Sequence, residues 1–117
     1  MLATFQGVAQ GRVQQPAERK SRAYKDFMRL PIPIFTGTSG AQAADQWLDF
    51  VKRHLNASGT PKEFWVEFTS HKFDGMASEW WKTVSIHDPQ VKETWEQFEA
   101  SFFEKFFSQV YVQDKIN

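Results

Sequence analysis

Few residues in this 117-residue chain are able to do chemistry, and their spacing decides against most of it. His54, His71 and His87 stand far apart, with no pair at the four-residue helical step on which a zinc protease holds its metal. Cysteine is absent, which excludes a disulfide framework, a thiol nucleophile and a thiolate metal site. Glu63 with Glu67, and Glu93 with Glu96 and Glu99, recur at helical steps; they read as solvated faces and capping charges, not as an acid/base couple. No serine sits in a nucleophile elbow, and T-G-T-S-G at residues 36–40 lacks the Lys-Ser/Thr ending of a phosphate-binding loop. The expectation is no enzyme, no cofactor and no metal.

Binding chemistry is left. Arg19, Lys20, Arg22 and Lys25 form a basic cluster able to touch RNA or an acidic surface, but four charges bind phosphate weakly at physiological salt, and a solvated tail explains them as well. Paired aromatics can stack bases, yet here they stand among Glu79, Glu93, Glu96, Glu99 and Glu104, which argues against nucleic acid on the body of the chain. The net charge is zero but unevenly spread: residues 1–30 hold six Lys or Arg against two acids, and the rest holds eight against twelve. The N-terminal M-L-A-T-F-Q-G-V-A-Q has no charged leader and no apolar run approaches the roughly 18 residues of a membrane span, so a cytoplasmic protein is expected.

The elements that position these residues are helical. Residues 73–107 hold three of the five Trp and six of the twelve Phe. In the first half, Met76, Ala77, Trp80, Trp81 and Val84 recur at three- and four-residue steps behind Asp74 as N-cap, with Gly75 in the first turn where a neighbouring backbone can come close. In the second half, Thr94 and Gln97 have capping-box spacing. With Phe102 as reference, Phe98, Val91, Trp95 and Phe106 fall within roughly 40° around the helix, while Val110, Phe103, Phe107 and Tyr111 fall at roughly 80° to 180°. One stripe is a core face; the second is either an interface or is covered by another part of the chain.

Upstream, Ala44, Trp47, Leu48, Val51 and Leu55 line one face of a helix from Ala41, with Gly59 suited to the left-handed position beyond its end. Thr60-Pro61-Lys62-Glu63 then reads as N-cap Thr, Pro at the first helical position and Glu at N3 of a helix that buries Phe64, Trp65 or Phe68 and ends near Phe73. F-M-R-L-P-I-P-I-F at residues 27–35 carries two prolines, so it is extended and laid across the helices. The fold expected is all-α: a compact bundle of about four helices at residues 27–112, preceded by the extended Pro-containing segment and a flexible basic N-terminal arm at residues 1–26, and followed by a tail at 113–117. Its expected structural core is Trp47, Leu48, Val51, Trp80, Trp81, Trp95, Phe98, Phe102 and Phe106.

The order I-P-I-F-T-G, A-A-D-Q-W-L-D-F-V, G-M-A-S-E-W-W and T-W-E-Q-F-E-A-S-F-F-E-K-F resembles the Gag domain of Gypsy-class LTR retrotransposons, the N-terminal lobe of a retroelement capsid; it is similar also to the capsid lobe of neuronal Arc. The resemblance covers about residues 30–110. It implies a structural protein that contacts other Gag/capsid subunits, as a homo-oligomer building a virus-like shell, or contacts a C-terminal lobe. Neither that second lobe nor the Cys-Cys-His-Cys zinc knuckle common in such Gag proteins is in this sequence, which implies a fragment or a degraded copy. The alternative is a domesticated adaptor that binds extended peptides in a groove beside Leu30, Ile32, Ile34 and Phe35; a strap that merely covers the core fits the same residues. Phe103, Phe107, Val110 and Tyr111 are the candidate interface, and Arg19, Lys20, Arg22 and Lys25 the candidate RNA contact.

Overall fold

Apolar residues recur at helical steps through most of this chain, and the computed structural model, which describes residues 16–107, is correspondingly helical. Helix α1 spans Pro16–Met28, α2 Ala41–Ser58, α3 Trp65–Ser70, α4 Gly75–His87 and α5 Trp95–Phe106; 3-10 turns at Lys62–Phe64 and Pro89–Lys92 lead into α3 and α5. Among the described residues there is no strand, only a parallel bridge between Phe35 and Phe73. The fold is the all-α bundle expected, its four-helix body being α2 to α5.

The arm expected at residues 1–26 is corrected in its second half, where Pro16–Met28 is helix; residues 1–15 lie outside the described part. Pro16 opens α1 where its missing N–H costs nothing, while Glu18 in the first turn and Lys25 in the last complement the helix dipole. The apolar face is thin. Tyr24 and Phe27, three residues apart, set their rings 5.2 and 5.4 Å from Phe68, and Phe27 is fully buried. Arg19 and Lys20 pair with Glu63 and Glu67 at 3.5 and 2.7 Å and fasten the same face to the start of α3. Such exposed pairs contribute about 0–1 kcal/mol each, so burial of Phe27 decides the docking.

Pro31 and Pro33 then hold the chain extended as a strap. Ile32 and Phe35 turn into the core, and Trp47 of α2 donates its indole N–H to the Pro33 carbonyl at 2.8 Å. The strap's backbone also orders the chain beyond α3. Phe35 N donates to Lys72 O at 2.7 Å, Asp74 N to Phe35 O at 3.0 Å, and Ala77 N to Thr36 O at 2.9 Å, so the Thr36 carbonyl satisfies one of the free N–H groups at the start of α4. The helix expected to end near Phe73 stops at Ser70, because Phe73 leaves it to make this bridge.

Local signals read from sequence hold at three helix ends and shift at two. Gly59 adopts φ 72° at the end of α2, and Asp74 caps α4 by accepting from Gly75 N. Thr94 caps α5, its Oγ1 accepting from Gln97 N at 3.1 Å and donating to Gln97 Oε1 at 3.2 Å. Thr60, by contrast, is not an N-cap: Pro61 has ψ 134°, outside the helical range, and the Thr60 hydroxyl pairs with Ser58 while its carbonyl accepts from Trp65 Nε1. Gly75 is required for its φ of 55°, not for close approach, since a Cβ there would meet Thr36 only at ordinary contact distance. Val91 is buried from the 3-10 turn at Pro89–Lys92, one turn before α5 begins.

Candidate interaction surfaces

The aromatic core fixes which way each surface residue points. Phe73 lies at its middle, with ring centres 5.8 to 6.4 Å from Trp80, Phe35, Trp81, Phe98 and Phe102 and 5.7 Å from Trp47. Of the expected core, Trp47, Leu48, Val51, Trp95, Phe98, Phe102 and Phe106 are buried, whereas Trp80 and Trp81 are half-buried. Phe27, Phe35 and Phe73 are buried core that the sequence reading omitted, packed on rings distant in the chain, and Phe68, read as one of the residues its helix could bury, is fully buried.

Burying Phe98, Phe102 and Phe106 turns the second stripe of α5 outward. Phe103 is 37% exposed; Phe107, expected on the same helical stripe, lies instead just past the helix end on extended backbone (φ −104°, ψ 124°), where it is partly buried with its ring 4.6 Å from that of Phe103. Val110 and Tyr111 lie outside the described residues. Phe103 borders a shallow hollow against α2, lined also by Asp45, Leu48, Asp49, Lys52 and Glu99. Lys52 Nζ stands 2.8 Å from Glu99 Oε2 across the α2–α5 seam.

The strap does not present its four candidate residues together. Ile32 and Phe35 face the core, Leu30 is half-buried, and Ile34 is 55% exposed. Nor does α1 offer its four cations as one patch: Arg19 and Lys20 reach toward α3, whereas Lys25 has no carboxylate partner among the described residues. Between α1 and α3 lies an apolar hollow of about 290 Å³, walled by Ala17, Ser21, Tyr24 and Phe68. Met76, read as part of the apolar pattern of α4, is 43% exposed, and Met28 and Ile86 are further exposed apolar residues that the sequence reading did not single out. Ile86 was findable, since it falls roughly 180° around α4 from the buried Ala77.

The hydrogen bond from Lys62 to Glu96, at 2.9 Å, holds the Glu96 carboxyl below the usual carboxylate range. His71 Nδ1 lies 3.2 Å from the Tyr24 hydroxyl, and His54 Nδ1 lies 3.0 Å from the Phe50 carbonyl. No helix of the described residues is long and apolar enough to cross a membrane.

A family model described as the retrotransposon-derived protein PEG10, N-terminal capsid-like domain, matches residues 29–107. No curated protein and no solved structure matches the chain. The matched stretch begins where α1 ends and takes in the strap, both 3-10 turns and α2 to α5. The words that carried the resemblance fall inside it and have structural work to do: Phe35 and Thr36 pair with the backbone around Phe73, Trp47 clamps the strap, and Thr94 starts α5. The chain therefore belongs to the family of retrotransposon-derived, capsid-like N-terminal domains, the N-lobe of a Gag-type capsid.

Proposed function

We propose that this domain works by protein-protein contact in building a retroelement-type shell, and that its contact surface is the outward stripe of α5. The observation that carries the reading is Phe103, exposed on α5 beside a core closed by Phe98, Phe102 and Phe106, with the Phe107 ring tilted against it at 4.6 Å at the core's edge. An exposed aromatic continued by a second, half-buried ring forms an apolar patch of the kind that marks an interface. Val110 and Tyr111 follow as further apolar residues in the sequence. The partner is another capsid subunit or a C-terminal capsid lobe. Changing Phe103 and Phe107 together to Ser tests this: the variant is expected to keep its melting temperature and lose association in sedimentation velocity. A fall of many degrees would instead place the stripe in the core.

A second reading, an adaptor for extended peptides, is favoured by Ile34, which stands 55% exposed on extended backbone beside the single bridge at Phe35. A peptide there would add backbone hydrogen bonds along the strap. Titration of labelled extended peptides checks it; no shift in the signals of residues 30–35 would remove it.

A further inference from the structure

The surface around Phe103 has a charge pattern that selects its partner. The hollow beside the ring is bordered by Asp45, Asp49, Glu99 and Lys52, and Lys52 is held by Glu99. Asp49 remains 64% exposed although Arg53 pairs with it at 3.1 Å along the same helix. Phe103 is thus an apolar anchor within an acidic rim.

The last turns of α1 carry the opposite pattern. Met28, the last residue of α1, is 48% exposed; Lys25 stands in the same last turn, Arg29 follows it in the chain, and all three are exposed. The acids there are Glu18 and Asp26; Asp26 pairs with Arg29 at 3.6 Å, yet the guanidinium side chain stays 80% exposed. This is an apolar anchor within a basic rim, and methionine suits an aromatic ring because its flexible, polarisable thioether packs against the edge.

We propose that a second copy of this chain docks head to tail, the C-terminal end of α1 against the α2–α5 seam at Phe103. This rests on the assembly reading above and gives it an orientation. Met28 meets Phe103 and Phe107, while Lys25 and Arg29 face the exposed Asp49. A contact between two different patches leaves one of each free on every dimer, so it propagates into rings or open arrays, whereas a self-complementary patch closes at two copies. Complementary rims chiefly set orientation, association rate and salt dependence.

Charge reversal in the full chain tests the pairing. Lys25→Glu and Asp49→Lys, each on exposed residues, are expected to leave the melting temperature nearly unchanged and to weaken association by about tenfold or more at low salt. The double variant restores the opposite-sign pair and is expected to associate within a few-fold of the wild type. Singles that associate normally, or a double variant as weak as the singles, overturn the head-to-tail contact. If association is insensitive to charge reversal but lost on Phe103→Ser with Phe107→Ser, this contact is wrong and the assembly reading stands. A wild-type chain that stays monomeric at high concentration and low salt overturns both.

Discussion

Gly37→Ala is the sharpest single test of how the strap is built. Gly37 has φ 81°, where an L side chain is strained, and a Cβ added there would lie 2.5 Å from Cε1 of Phe106. The ring has no room to yield. Phe106 is 8% exposed and is held by Phe102, Phe35 and Trp80 at ring distances of 4.9, 5.1 and 5.2 Å. The left-handed backbone costs about 1–2 kcal/mol, and forcing atoms into a packed core costs about 1–3 kcal/mol. Ala's smaller unfolded-state entropy returns roughly 0.4–1 kcal/mol. The net loss is about 2–4 kcal/mol, or a fall of roughly 10–25 °C at about 4–8 °C per kcal/mol for a domain of this size. Gly59→Ala is the control, because its φ is 72° and a Cβ would meet nothing within 4 Å. It bears only the backbone cost, about 1 kcal/mol. Thermal melts followed by circular dichroism compare the two. Equal losses would refute the claim that the strap sits against Phe106. Phe106→Leu should also cost less beside Gly37→Ala than in the wild type, because it relieves the clash.

Other substitutions separate the remaining contributions. Phe98→Ala, at a fully buried site, should cost about 3–5 kcal/mol in chemical denaturation, and the half-buried Trp80→Ala less. Thr69 is fully buried and its Oγ1 has no hydrogen-bond partner among the described residues, so Thr69→Val should stabilise the domain by about 1 kcal/mol; a loss would mean that the hydroxyl is satisfied. Thr94→Ala removes the α5 cap and should cost about 1 kcal/mol. The Glu96 carboxyl is depressed by Lys62, so its contribution is present above the ordinary carboxylate pKa and is lost as pH falls through the lower folded value. Glu96→Gln should flatten the pH dependence of the melting temperature in that acidic window; an unchanged slope would show that the pair does not persist in solution.

Apart from the Thr60 cap, which neighbours two and five residues away displace, the sequence reading and the structure agree at the helix caps set by local bonds. Helices α2 and α5 follow from spacing, and Gly59, Asp74 and Thr94 end or begin helices by bonds within a few residues. What was not legible depends on neighbours distant in the chain. Helix α1 has too few apolar residues for a periodic signal and is held by the Phe68 ring, more than 40 positions downstream. The Thr60 cap failed because Ser58 and Trp65 take the atoms that capping would use. Phe35 and Phe73 look ordinary in sequence, yet their bridge organises the core, and the demand for glycine at position 37 comes from a ring 69 residues away. At the candidate surface, Phe103 was legible from its angle around α5, whereas the acidic rim on α2 needed the fold to bring Asp45 and Asp49 beside it.

The most direct test of the central claim, that this domain acts through a protein contact at Phe103 and Phe107, is an amide and side-chain NMR titration of the full chain against its own concentration at low salt. Signals of Phe103, Phe107, Asp49 and Lys25 should shift and broaden together as concentration rises, with those of Ile34 unchanged. Spectra that do not change with concentration, or changes centred on the strap, would contradict it.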